Sequence, residues 1–148
     1  MAKHPITGDI WTHEHGPKGG DEINIIQKGA NYGWPVISYG INYSGSSFTE
    51  LTEKEGMQQP AWYWVPSIAP SGMTFVIGDI YPDLKGKIIV GSLKFAYVVA
   101  LKLDGDKVLS QAIMFAGIGR VRNVIQGADG YIYVSTDGTG IFKIVPSK

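Results

Sequence analysis

The sequence contains no cysteine, which excludes disulfides and thiolate metal sites and leaves the redox compartment open. No run approaches the ~18 apolar residues of a membrane-spanning helix, so no membrane insertion is expected. Thirteen basic and 13 acidic residues cancel. Without an excess of either sign there is no electrostatic case for nucleic acid or an anionic membrane as main partner. The opening stretch MAKHPITGD has no apolar h-region, so it is not expected to act as a secretory signal. Helical patterning is scarce too. Its best candidate, TELTEKEGMQQ (49–59), has helix formers but no apolar stripe and predicts a turn or two at most.

What the chain has is glycine, proline and short apolar runs. Its 148 residues suffice for one ordinary domain with a real core, and 44% apolar against 18% charged content argues against disorder. Twenty glycines and eight prolines fall between short β-branched and aromatic stretches, the pattern of many strands joined by tight turns. Three segments share a plan: GDIWTHEH (8–15), GKIIVGSL (86–93) and GYIYVSTD (130–137). Each opens on a glycine, which permits a turn with positive φ, and each runs through a short strand into a polar or small-residue loop. Each is followed by a second strand-like run: EINIIQKG, YVVALKLDGD and GIFKIVPSK. Starts at 86 and 130 lie 44 residues apart, and those at 8 and 86 lie 78 apart, around an aromatic, proline-containing insertion over 31–75.

A repeat of ~40–50 residues made of short antiparallel strands predicts all-β blades of a β-propeller. In GYIYV, Ile132 and Val134 share one face while Tyr131 and Tyr133 share the other, which suits a strand packed between neighbouring sheets. A sandwich or meander is the plainer alternative. Since a closed propeller needs ~4–8 blades, about three blades read as part of a larger ring, with residues 1–148 one partial propeller domain. If the blades superpose, the loops His13–Pro17, Ser92–Lys94 and Thr136–Gly138 meet on a common rim, where propellers build their sites.

Taken residue by residue, the chemistry stays modest. HEH at 13–15 is not the HExxH of zinc enzymes, and His4 reads as a solvated turn residue. Asp21 and Glu22 could cap a turn or rim a strand. Arg120 and Arg122, two apart, face the same way on a strand and could pair with surface acids or grip a carboxylate. The four tryptophans are expected mainly in the core, with Trp62 and Trp64 preceding a loop that could border a pocket. LDGDK (103–107) reads as a two-residue hairpin turn and not a calcium loop.

The stretches HEHGPKGGDEIN, KGANYGWPVISYGINYSG, WVPSIAPSGMTF, GKIIVGSLK, GRVRNV and GADGYIYVSTD, in this order over nearly the whole chain, carry a resemblance. Together they resemble the C-terminal part of the soluble PQQ-dependent aldose sugar dehydrogenases, the glucose/sorbosone dehydrogenase family of six-bladed propellers. The resemblance implies that the carbonyls of Gly16 and Pro17 hold a calcium ion that also binds the quinone. It implies that Lys94 contacts the cofactor, that Arg120 and Arg122 bind its carboxylates and that Ser67 lines its pocket. It further implies a second calcium at Glu22 and the carbonyl of Tyr32. The family's general base is a histidine in a GHRN segment ahead of the EHGP blade, so the base is expected upstream of residue 1 and not at His4, His13 or His15.

The activity so implied is oxidation of an aldose sugar at its anomeric carbon, with PQQ and calcium, in a periplasmic or secreted protein. The isolated chain is expected to be inactive. Two other outcomes fit the same residues: a non-catalytic half-propeller that binds a ligand, or a homodimer in which two three-bladed chains close one ring.

Overall fold

The computed structural model describes residues 1–146. The last two residues of the strand-like run 140–148, Ser147 and Lys148, lie outside the described residues. The described residues form three antiparallel sheets and one short 3-10 turn at Pro82–Leu84. The first sheet runs β1 (Ala2–Lys3), β2 (Ile10–Glu14), β3 (Asp21–Ile25), β4 (Trp62–Trp64). The second runs β5 (Pro70–Phe75), β6 (Ile88–Ser92), β7 (Tyr97–Asp104), β8 (Lys107–Met114). The third holds β9 (Val121–Gln126), β10 (Ile132–Thr136) and β11 (Gly140–Lys143), with β10 in the middle. Among the described residues no helix is long and apolar enough to cross a membrane.

The three glycine-led runs become β2, β6 and β10, each the second strand of its sheet. Their leading glycines share one conformation: φ is 82° at Gly8, 76° at Gly86 and 80° at Gly130. A side chain at such a φ is strained, so the same residue recurs at the same corner of each blade. The hairpin expected at LDGDK forms, with Gly105 and Asp106 joining Asp104 to its partner Lys107. Segment 49–59 contains turns and no helix. The insertion over 31–75 is only partly irregular, because residues 62–75 supply β4 and β5 to two different sheets.

The sheets stack face to face as propeller blades do. Trp11, Ile23, Trp64, Met73, Phe75, Ile88, Val90, Val99 and Leu101 fill the space between the first and second sheets. Ile89, Val98, Ala100, Val121, Val124, Ile132 and Val134 fill the space between the second and third. Strand β6 therefore faces both cores in alternation, and all five of its residues are buried. Trp62 packs against the first core, as expected, but Trp34 does not: it is 61% exposed and rests on Phe48 at 4.9 Å between ring centroids.

Candidate functional site

Strands β2, β6 and β10 end, and β5 and β9 begin, at one edge of the stack. This places the loops after the glycine-led strands on a common rim, tied by hydrogen bonds through the segments where β5 and β9 begin. His15 Nε2 lies 2.8 Å from the Pro70 carbonyl, joining the first sheet to the second. The β6–β7 loop is tied to the segment before β5 by Leu93 N–H to Ala69 O (3.0 Å) and Lys94 N–H to Ile68 O (3.2 Å). Ser71 donates its hydroxyl proton to the Val121 carbonyl, joining the second sheet to the third. Asp137 N–H donates to Arg120 O at 2.9 Å and closes the β10–β11 loop onto β9.

The turn between β2 and β3 is the most tightly specified part of this rim. Gly16 is buried, and a Cβ there would stand 1.9 Å from the Gly19 carbonyl oxygen, so only glycine fits. Its N–H donates to Asp21 Oδ1 at 2.8 Å. Among the described residues no hydrogen bond reaches the carbonyl oxygens of Gly16 or Pro17. Ser67 is buried, and its hydroxyl donates to Asp21 Oδ2 at 2.7 Å.

On the outward face of β3 a second polar group gathers. Glu22 stands directly across from Glu14 on β2, and the Asn24 amide bridges the pair, donating to Glu14 Oε1 at 2.8 Å and to Glu22 Oε2 at 3.1 Å. Burial, opposed by the Asn24 bond but reinforced by the Glu14 carboxylate, raises Glu22 from 4.5 to about 7. Asn24 Oδ1 is buried without a partner among the described residues. Glu14, His15, Gly16, Glu22, Tyr32 and Trp34 help line the adjoining cavity of about 200 Å³. Tyr32 is held there by its hydroxyl, which donates to Ile25 O at 2.9 Å and accepts from Gln27 N–H at 2.7 Å. Among the described residues no three His, Asp or Glu side chains gather closely enough to hold a metal unaided. Backbone and amide oxygens would have to complete any cation site.

The cationic residues occupy the same rim. Lys94 is exposed, with its ammonium 5.0 Å from the Phe95 ring centroid. Arg120 and Arg122 do face the same way, and both turn to Asp137. Arg122 makes a bidentate pair at 2.7 Å and 2.7 Å, while Arg120 approaches at 3.4 Å. The histidines are otherwise engaged. His4 packs edge-on against Phe75 and accepts the N–H groups of Ile6 and Thr7 at Nδ1, so it is more embedded than a solvated turn residue. Burial lowers His13 from 6.5 to about 4.

Comparison with known proteins gives a consistent result. The profile of the family described as Glucose / Sorbosone dehydrogenase matches residues 1–143. The chain is 44% identical over 151 aligned positions to the aldose sugar dehydrogenase YliI of Escherichia coli, covering 99% of this chain and 41% of that protein. A glucose dehydrogenase crystal structure superposes with a TM-score of 0.93 at 40% identity, over 98% of this chain and 43% of its own. The PQQ-bound aldose sugar dehydrogenase of Streptomyces coelicolor superposes with a TM-score of 0.66 at 24% identity, over 99% of this chain and 38% of its own, a likeness of fold. The chain thus spans about two fifths of the length of the relatives it matches.

Proposed function

The chain belongs to the glucose/sorbosone dehydrogenase family, and from that premise we propose that it forms part of the calcium and PQQ cradle of an aldose sugar dehydrogenase. The observation that carries this reading is the Gly16–Pro17 turn, whose two carbonyl oxygens have no partner among the described residues and sit on the same rim as Lys94, Arg120 and Arg122. Calcium is a hard cation that takes such oxygens, and guanidinium groups suit the carboxylates of PQQ. That the Streptomyces coelicolor relative of the same fold binds PQQ supports the choice of quinone.

Bound PQQ with calcium would supply the two-electron acceptor for hydride from an aldose's anomeric carbon. The chain's own residues then hold and orient. Gly16 and Pro17 present carbonyls to the cation. Lys94 and Arg120 have spare N–H donors for the cofactor's oxygens, whereas Arg122 is largely committed to Asp137 and steadies that edge. Ser67 shapes the pocket wall, with its hydroxyl turned to Asp21. The second cation site uses Glu22 and the Tyr32 carbonyl. Among the described residues Asn24 Oδ1 has no partner, and this hard oxygen beside Glu22 is a donor that such a cation takes. The proton-accepting base belongs, on this reading, to a part of the longer protein outside these residues, which would work in the periplasm.

The test is a titration of the full-length protein with PQQ and calcium, followed by the cofactor's absorbance. Saturable binding is expected. Arg120→Ala and Lys94→Ala should each weaken it by ~10-fold or more, the worth of a charge-assisted hydrogen bond. No binding at millimolar cofactor would leave the rim a scaffold.

A further inference from the structure

We propose that Asp21 is the positioning residue of the calcium turn, holding the Gly16–Pro17 carbonyls in place without touching the cation. The inference rests on the calcium reading above. Asp21 is fully buried, and among the described residues no lysine, arginine or histidine pairs with it. A buried carboxylate without a counter-ion is costly unless hydrogen-bond donors surround it. Three do: Gly16 N–H at 2.8 Å on Oδ1, with the Ser67 hydroxyl at 2.7 Å and Ala69 N–H at 2.8 Å on Oδ2. Both oxygens thereby hold backbone and hydroxyl donors of this rim, which gives Asp21 a holding role. It is a clamp between two loops that lie 46 to 48 residues apart along the chain.

The two ends of the clamp are the places where the backbone has least freedom to settle by itself. Ala69 sits at φ 51°, a conformation that costs a non-glycine residue ~1 kcal/mol or more and persists only when its surroundings impose it. At the other end, fixing Gly16 N–H fixes the peptide plane just before the two carbonyls, and the Pro17 ring fixes the φ between them. With no room for a Cβ at Gly16, the turn is set from three sides before any ligand arrives. Replacing Asp21 by asparagine keeps the shape but leaves one NH2 facing an N–H or O–H donor, so one end of the clamp must open.

The experiment uses the full-length protein, comparing wild type, Asp21→Asn and Ser71→Ala. Ser71→Ala removes another buried hydrogen bond of the same rim, the one to Val121. Two quantities are read: the calcium concentration that half-saturates the PQQ absorbance change, and the melting temperature in chelator. Both variants should melt lower. Only Asp21→Asn should raise the half-saturating calcium, by ~10-fold or more, with Ser71→Ala within about twofold of wild type. If wild type shows no calcium-dependent PQQ binding, the calcium reading itself fails. If wild type shows it and folded Asp21→Asn stays within about twofold, the positioning role alone is overturned. Should Asp21→Asn not fold, hydrogen exchange of the Gly16 amide in the calcium-free wild type decides. Protection like that of buried strand amides is expected, and free exchange that calcium suppresses would mean that the metal, not Asp21, organises the turn.

Discussion

Glu14 and Glu22 face each other across β2 and β3, a like-charged pair that ordinarily destabilises a sheet. The Asn24 amide relieves part of that repulsion and a proton relieves the rest. The sign follows directly. With Glu22 raised to about 7, the folded state holds a proton that the unfolded chain loses near 4.5, so this group's contribution to stability falls as pH rises from 4.5 to 7. His13 acts in the opposite sense, since its folded value of about 4 makes stability fall as pH drops from 6.5 to 4. In chelator at pH 8, Glu22→Gln should therefore melt a few degrees above wild type, because the substitution removes a buried charge. With calcium added the order should reverse if Glu22 is a ligand as proposed, since the variant then lacks it. The wild-type gain in melting temperature from calcium should also grow between pH 6 and pH 8. Differential scanning calorimetry at the two pH values, with and without calcium, checks all three. Of this cluster the sequence made Glu22 visible beside the glycine-rich turn. It could not reveal that Asp21, its neighbour, points to the opposite face and meets residues 67 and 69, because that contact exists only once two blades are stacked. That Arg120 and Arg122 could pair with a surface acid was legible, but not that the acid is Asp137, since the register of β9 against β10 within one sheet creates the pairing.

At the level of elements, the glycine-led strands were legible because their signals are local: a turn that needs positive φ, then a short apolar run. Strand β6 shows what that pattern encodes. Ile88 and Val90 face one core and Ile89 the other, so a continuous apolar run serves two interfaces at once. Truncating Ile89 to alanine should cost ~2–5 kcal/mol by chemical denaturation, as for other buried isoleucines. The element least legible was the segment between β3 and β5. Its aromatics suggested an insertion, yet its end forms β4 and the first strand of the next sheet. Three-residue β4 is too short to show alternation, and Gly72 interrupts β5 at a register shift. Gly16→Ala tests the turn as an element. The added methyl must displace the Gly19 carbonyl, so a loss of ~1–3 kcal/mol is expected together with weaker calcium-dependent PQQ binding. Unchanged stability and binding in that variant would show that the turn is adaptable.

On the scale of the molecule, three stacked sheets leave two faces uncovered. One carries exposed Ile10, and the other carries Ile125, Tyr133 and Ile141. Apolar sheet faces of this kind call for neighbours. Since the chain spans about two fifths of its relatives, we assign the cover to further blades of a longer protein, in preference to a second copy of this one. Light scattering on the full-length protein should then give a monomer mass; a pair held through these faces would contradict the assignment. The rim would complete its cofactor site only within that ring. Its central feature, the pair of carbonyls at Gly16 and Pro17, can be examined directly by crystallising the full-length protein with calcium and PQQ and collecting anomalous diffraction. The account predicts an anomalous calcium peak ~2.3–2.6 Å from both carbonyl oxygens and in contact with the quinone. A quinone-bound structure with no peak there, or with calcium held away from Gly16 and Pro17, would contradict it.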